Sequence, residues 1–265
     1  MKTPLLSAFL LAACSSTPPA PAAPVAPAAP SARAAPSSPV APAAATAPSA
    51  HAGPSYTLVL IRTGPKSGQL SAEDNQRAFE GHFANMGRMA RAGQLVLAGP
   101  YGESRHAPDL RGIFVLDTHD RAQAEAWAGT DPTTQAGVFR LEFHELATPA
   151  ALRRALAEDL AWNDRQAAEG RTPAPGENAR GYALLTAEHG DHAWRELAPL
   201  CTTEGGVFLL AHLDGARALA LLDAANAAEA RERFAPQLEN LGACTLDDWF
   251  GSNQFARLHE LAGTD

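Results

Sequence analysis

The hydrophobic positions between residues 56 and 146 change period several times, which predicts strands that alternate with amphipathic helices. Tyr56–Ile61 is a continuous apolar and β-branched run, so we expect a strand that is covered on both faces. Ser71–Asp74 has capping-box spacing and Gly93 is a typical helix end, so a helix is predicted between them. Its apolar stripe consists of residues at helical spacing, namely Phe79, Phe83, Met86 and Ala90.

The remainder of this segment completes a βαββαβ unit. The predicted elements are a strand over Gln94–Ala98, a turn over Gly99–Gly102, a strand over Gly112–Asp117, a helix capped by Asp120 that runs through Trp127, and a strand over Val138–Phe143. This order is the ferredoxin-like arrangement, in which two helices cover one face of an antiparallel sheet.

A different pattern occupies residues 149–178. Thr148-Pro149 predicts the start of a helix, which runs down to Trp162 with one apolar stripe formed by Leu152, Leu156 and Leu160. Residues 172–176, which contain two prolines and a glycine, read as a linker. We therefore expect one helix and a linker between two folded units.

The βαββαβ pattern then returns over residues 179–262. Its predicted elements are strand Tyr182–Thr186, helix Trp194–Leu200, strands Val207–Leu213 and Ala216–Leu222 joined by a hairpin turn at Asp214-Gly215, a helix capped by Asn226, and strand Cys244–Phe250. We interpret this segment as a divergent internal repeat of the first unit, which spans residues 55–148. The alternative is that two similar units occur together by coincidence.

The presence of two βαββαβ units explains how both faces of each sheet can be buried. Helices cover one face, and the sheet of the other repeat could cover the second, apolar face. The fold class predicted is therefore α+β, with two ferredoxin-like βαββαβ repeats forming an intrachain pseudo-dimeric α/β barrel.

The N-terminal residues have the plan of a secretory signal. Lys2 is followed by the apolar run Leu5–Leu11 and then by Ala12-Ala13-Cys14. This run is too short to span a bilayer, which takes about 20 residues. Leu11–Cys14 resembles the lipobox of bacterial lipoproteins, which implies that the signal is residues 1–14 and that Cys14 is the site of lipid attachment. An ordinary signal peptide that contains a cysteine is the alternative.

Composition supports a tethered domain. Residues 15–54 are almost entirely Ala, Pro and Ser, so we expect a disordered linker. Ser15, rather than Asp, follows the cysteine and resembles the pattern of lipoproteins sorted to the outer membrane, facing the periplasm. The formal net charge of −8 argues against a nucleic-acid partner. The expected partners are the outer membrane, through the lipid, and a small-molecule ligand.

Cys201 and Cys244 are not expected to form a disulfide, although the compartment would permit one. In a βαββαβ unit the two positions fall at opposite ends of the sheet. A strand of about five residues separates those ends by roughly 17 Å, whereas bonded cysteines need Cα atoms within about 7 Å. Two free thiols are therefore predicted.

Several spaced motifs resemble the YCII-related domain over about residues 56–146. They are His82-Phe83-Ala84, Gly93–Pro100, Gly112–Asp117, Ala124–Trp127, Thr130-Asp131-Pro132 and Ala136–Phe139. The resemblance implies small ferredoxin-like proteins that pair into dimeric barrels and carry a histidine and an aspartate in a pocket, without an assigned substrate. Here those residues are His82 and Asp131. The corresponding positions of the second repeat hold Trp194 and Ala235, so only the first repeat is expected to be chemically competent.

Three interpretations of His82 and Asp131 stay open. A carboxylate beside an imidazole fixes its tautomer and suits general acid or base chemistry near neutral pH. The same two residues could instead line a ligand pocket without turnover. Because His82 falls on the apolar stripe and Asp131 precedes Pro132, a purely structural pair is the third interpretation.

The sequence gives weaker support to the other candidate sites. His189-Gly190-Asp191-His192 offers three potential metal ligands, but we interpret it as a polar turn in which Asp191 caps a helix. Some dimeric α/β barrels bind haem, yet nothing in this sequence selects haem, and no cofactor or metal is predicted. The predicted function is an envelope lipoprotein that acts on or binds a small molecule over His82 and Asp131. The alternative is a non-catalytic binding or accessory module of the cell envelope.

Overall fold

The computed structural model describes residues 53–174 and 176–262, so the predicted signal, Cys14 and nearly all of the predicted linker lie outside the described residues. The strands are β1 (Ser55–Thr63), β2 (Leu95–Pro100), β3 (Leu110–Leu116), β4 (Phe139–Ala147), β5 (Ala179–Ala187), β6 (Val207–Leu213), β7 (Arg217–Leu222) and β8 (Cys244–Ser252). The α-helices are α1 (Ala72–Arg91), α2 (Arg121–Ala128), α3 (Pro132–Gln135), α4 (Leu152–Ala168), α5 (Gly190–Leu197), α6 (Ala227–Arg233), α7 (Ala235–Leu241) and α8 (Leu258–Ala262). Within these ranges, no helix is long and apolar enough to cross a membrane.

All eight strands belong to one antiparallel sheet with the order β2-β3-β1-β4-β6-β7-β5-β8. The first four strands follow the ferredoxin-like order, and the last four repeat that order. The two halves join where β4 pairs with β6, through Leu146 opposite Leu213 and Ala147 opposite His212. The predicted α+β fold with a duplicated βαββαβ unit is therefore confirmed.

The two outer strands of this order, β2 and β8, close the sheet into a barrel. Tyr101, just beyond β2, forms an antiparallel bridge with Trp249 of β8. The Trp249 Nε1–H group donates to the carbonyl oxygen of Gly99 at 3.0 Å, and the Gly102 N–H group donates to that of Asp248 at 2.7 Å. These contacts join the two outer strands and cover part of each sheet edge.

The turn predicted over Gly99–Gly102 is therefore wrong. β2 continues through Pro100, and these residues form the seam between the two units. A side chain at Gly99 would collide with the Phe250 carbonyl oxygen and the Trp249 indole, so glycine is needed here for close approach of two strands. The sequence signal was real, but it marked a contact between backbones that are distant in the chain.

The barrel interior is filled by equivalent residues of the two units. Tyr56 and Leu58 of β1 correspond to Tyr182 and Leu184 of β5 in sheet register, because the residue between each pair faces the end of the neighbouring strand, Leu116 or Leu222. All four are at most 2% exposed. They share one core cluster with Trp249. The opposite faces pack on helices: Val59 and Ile61 lie with Met89 of α1 in a second cluster. The prediction that the first strand is covered on both faces is confirmed.

Helix α4 belongs to this core and is not merely a connection. It begins at Leu152, later than the predicted start at Thr148-Pro149, and its Leu152 and Ala155 are fully buried in the interior cluster. Phe255, in a short 3₁₀ helix after β8, and Leu258 of α8 are buried in the same cluster. The segment between the units thus packs with the C-terminal segment against the inner core.

The second unit departs from prediction at two helices. The helix predicted at Trp194–Leu200 is α5, which begins at Gly190. The helix capped by Asn226 is two helices, α6 and α7, that meet at Phe234. Pro236 has no N–H group for a helical hydrogen bond, which explains why one continuous helix does not form there.

The two cysteines of the folded region are both free thiols. Cys244 pairs with Ala187 at one end of β5. Cys201 precedes Val207, which pairs with Leu222, the partner of Ala183 in the middle of β5. The prediction of two free thiols is confirmed, and burial raises the pKa of the Cys201 thiol to about 11.

Candidate functional site

His82 and Asp131 are in direct contact. The Nδ1 atom of His82, on α1, lies 2.5 Å from Oδ2 of Asp131, which precedes α3. The two residues are 4% and 1% exposed. An ionised carboxylate can only accept a hydrogen bond, so the Nδ1–H group of His82 is the donor.

Close packing of two helices brings the pair together. A Cβ atom on Gly81 would lie 2.9 Å from Cγ of Pro132, so glycine lets the Asp131-Pro132 turn approach α1. Pro132 occupies the first turn of α3, where its missing N–H group is not needed. Neighbouring residues in the sequence thus position both members of the pair.

The second carboxylate oxygen of Asp131 is held by α3. Oδ1 accepts hydrogen bonds from the backbone N–H of Thr133 at 2.9 Å and from its hydroxyl at 2.5 Å. Burial raises the pKa of the Asp131 carboxyl, but the hydrogen bonds from His82 and Thr133 outweigh burial, so this pKa lies below its usual range. The aspartate is therefore a fixed, ionised partner of the imidazole.

Aromatic rings surround the imidazole of His82. Phe114 stacks on it with ring centroids 5.9 Å apart, and Phe79, Phe83 and Phe139 contact it edge-on. No residue of the described part of the chain forms a hydrogen bond with Nε2. With Nδ1 bonded to Asp131, Nε2 is the ring nitrogen that can interact with another molecule.

His82 lines a cavity of about 160 Å³ between the first unit and the segment that joins the two units. Its walls are mostly apolar and include Phe79 and Met86 of α1 and Phe114 of β3. They also include Leu156 and Leu160 of α4 and Phe250 of β8. The cavity is thus built from residues of both units, although the histidine belongs to the first.

A carboxylate that was not predicted from the sequence also lines this cavity. Asp159 of α4 accepts hydrogen bonds on Oδ1 from the Ser252 hydroxyl at 2.6 Å and from the Asn178 amide at 2.8 Å. Burial raises the pKa of this carboxyl to about 6, against the smaller effect of those hydrogen bonds. A polar position between Leu156 and Leu160 was the only signal in the sequence, and such positions are usually solvated.

Arg111 of β3 also lines the cavity and was likewise not predicted. Its Nε–H group donates to the Thr63 hydroxyl at 2.8 Å. Burial and the nearby Arg105 lower the pKa of this guanidinium, and Asp109 acts in the opposite direction. Asp109 itself pairs with Arg62 and Arg140, and none of the described carboxylates forms a salt bridge with Arg111.

The remaining predicted residues do not form a site. His189 stands immediately before α5, and Asp191 lies within the first turn of that helix, so the predicted Asp191 cap is wrong. His192 Nε2 contacts the Asn240 carbonyl oxygen at 2.8 Å. Over residues 53–174 and 176–262, no group of three His, Cys, Asp or Glu side chains is arranged to hold a metal ion.

In the second unit, Trp194 stacks on His212 with ring centroids 4.4 Å apart, and Ala235 has no carboxylate to offer. The geometry of the His82–Asp131 pair therefore has no counterpart at those positions.

Comparison with protein families agrees with the fold of the first unit. Residues 56–146 match the family model of the YCII-related domain. The first unit of this chain is a YCII-related domain, and the second unit repeats its topology outside the matched region. No curated protein and no solved structure matches the chain.

Proposed function

We propose that this protein is an envelope lipoprotein that binds a small molecule in the cavity over His82 and Asp131, and that His82 exchanges a proton with that molecule. The observation that carries the proposal is the state of the imidazole. Nδ1 is committed to a buried carboxylate, whereas Nε2 has no partner among the described residues and the ring lines a cavity. Apolar cavities with a few placed polar groups are the usual form of small-molecule sites.

Proton exchange follows from the tautomer. In the neutral imidazole, Asp131 holds the proton on Nδ1, so Nε2 carries the lone pair and can accept a proton from a bound molecule. The resulting imidazolium is stabilised by the adjacent carboxylate. The aromatic walls exclude water, which strengthens each of these interactions.

The alternative is a binding or accessory module of the envelope without turnover. Trp194 and Ala235 occupy the corresponding positions in the second unit, so the barrel is maintained without a second pair. A protein that needs only one cavity and a stable barrel would tolerate this loss.

Ligand-observed NMR with a library of single-ring compounds tests binding in the cavity. Ala98→Trp places an indole in the cavity lining and should abolish binding, whereas Ala122→Trp on the exposed face of α2 should not. Equal binding by both variants would contradict the proposed site.

Turnover separates the two functions. For each compound that binds, product formation by the wild type is followed by mass spectrometry. If His82 is catalytic, His82→Gln should retain binding and lose product formation. Compounds that bind the wild type and are recovered unchanged would favour the accessory module.

Membrane anchoring is tested separately. Cys14→Ser should move the protein from the membrane fraction to the soluble fraction or leave it as unprocessed precursor, because the thiol that would carry the lipid is absent. Cys201→Ser, a cysteine of the folded region, is the matched control and should stay membrane-bound. A wild-type mass without acyl chains, together with unchanged fractionation of Cys14→Ser, would contradict lipidation.

A further inference from the structure

We infer that the ligand of this cavity is a small aromatic acid whose ring carries a hydrogen-bond donor, with the acid held by Arg111 and the donor held by Asp159. The inference rests on the proposed function and names the chemical class of its ligand. It uses three observations: the size and walls of the cavity, a cation that lines it, and a carboxylate that also lines it.

The size of the cavity limits the ligand. An apolar cavity of about 150 Å³ holds one benzene ring, and this cavity measures about 160 Å³. Its walls at the His82 end include Phe79, Phe83 and Phe114, whose edges and faces favour contact with another aromatic ring. A single substituted ring therefore fits both the volume and the walls.

Arg111 supplies the site for an acid. Nε is bonded to Thr63, which orients the guanidinium, while the two Nη groups form no hydrogen bond with any described residue. By contrast, the nearby Arg62 and Arg140 each pair with two carboxylates, Asp109 and Glu142. A partly buried guanidinium without a carboxylate is stabilised by an anion, and its planar edge suits a ligand carboxylate.

Asp159 supplies the site for a donor. Ser252 and Asn178 both donate to Oδ1, so they fix the carboxyl group and leave Oδ2 without a partner among the described residues. Asp159 and Arg111 do not pair with each other, although both line the same cavity. Oδ2 can accept a hydrogen bond from a ligand hydroxyl or ammonium group.

Four probes that differ only in these groups test the inference by titration calorimetry on the intact chain: ethylbenzene, phenylpropionate, para-ethylphenol and para-hydroxyphenylpropionate. We expect Kd to fall about tenfold for each added group, since one hydrogen bond to a charged group is worth about that factor. Arg111→Gln should weaken only the two acids, and Asp159→Asn should weaken only the two phenols. Arg77→Gln and Glu158→Gln are the matched controls and should change neither.

Ethylbenzene separates failure of this inference from failure of the proposed function. It reports only whether the cavity accepts a ring, so its binding to both variants also shows that they remain folded. If ethylbenzene binds and the acid and hydroxyl add nothing, the ligand class is wrong and the binding site stands. If no probe binds, the proposed function is overturned together with the inference.

Discussion

A buried aspartate, Asp131, and a half-buried one, Asp159, differ in pKa because their surroundings differ. Asp131 receives hydrogen bonds from His82 and Thr133, and its pKa lies below the usual range. Asp159 receives two hydrogen bonds from neutral groups, which do not compensate for burial, and its pKa is raised to about 6. The first is a permanent anion that orients an imidazole, whereas the second changes charge near neutral pH.

Asp131→Asn should destabilise the protein by about 1–3 kcal/mol near neutral pH, because it weakens a buried charge-assisted hydrogen bond. Since the folded-state pKa of Asp131 is lowered, its contribution exists above the unfolded-state pKa and is lost as pH falls through the folded-state value. Urea unfolding at several pH values should therefore show the difference from wild type shrinking in acid.

Asp120→Asn is the matched control for that experiment. Asp120 also accepts backbone N–H groups at a helix start, from Ala122 and Gln123, but it has no histidine partner. Asparagine caps helices about as well as aspartate, so little change is expected. Equal losses in Asp120→Asn and Asp131→Asn would mean that His82 contributes nothing beyond the cap.

Asp159→Asn should have the opposite effect and stabilise the protein. The folded-state pKa is raised from 3.8 to about 6, so the ionised form is disfavoured in the folded state and stability falls as pH rises through this window. The amide removes that penalty, and we expect a gain of up to about 3 kcal/mol above the window, with no gain below it. Glu158→Gln removes a charge from the same helix and is the control; an identical pH dependence of wild type and Asp159→Asn would contradict the assignment.

At the level of elements, the site depends on how closely α3 approaches α1. Gly81 and Pro132 set that distance, and the capping bonds of Asp131 and Thr133 set the orientation of α3. The His82–Asp131 hydrogen bond therefore depends on the contact between α1 and α3. A substitution that separates these helices should weaken the hydrogen bond without altering the His82 side chain.

Gly81→Ala tests this dependence. Alanine favours a helix by about 1 kcal/mol over glycine, but its methyl group would lie 2.9 Å from Pro132 and force the turn away from α1. We expect the free-energy cost of Asp131→Asn, measured by urea unfolding, to be smaller in the Gly81→Ala background than in wild type. Additive effects in this double-mutant cycle would show that Gly81 does not position the pair.

At the level of the whole molecule, formation of the barrel brings residues of both units to one cavity. The β4–β6 pairing and the β2–β8 seam hold the sheets together. A second histidine–aspartate contact reinforces the seam, where the His106 backbone N–H donates to Asp247 at 2.6 Å. The second unit lacks the reactive pair but completes the core and supplies the far wall of the cavity.

A fragment of residues 53–148 should therefore dimerise. Alone, it would expose the apolar inner face that includes Tyr56, Leu58 and Val115, together with the unpaired edges of β2 and β4. A second copy can cover both, as the second unit does in the intact chain. Sedimentation velocity should give a dimer, and a folded monomer of this fragment would contradict the prediction.

The sequence by itself determined the features that depend on neighbouring residues. Ser71, Asp120 and Asn226 cap helices as predicted, because each cap is a contact over two or three residues. Periodicity predicted every strand and the βαββαβ order of each unit, and therefore the duplicated fold, but not the short helices α3 and α8. His82 and Asp131 were found through a family motif, because spacing alone left a structural pair equally open.

Only the tertiary structure decided the features that depend on distant residues. It showed that Gly99 marks a seam with Trp249 and not a turn, that α4 belongs to the core, and that Arg111 and Asp159 line the cavity of His82. The local signals at Gly99, α4 and Asp159 did not specify these contacts, because burial and the absence of a charge partner result from which parts of the chain pack together. The family motif therefore identifies His82 and Asp131, whereas only the packing of the folded chain brings Arg111 and Asp159 to the same cavity.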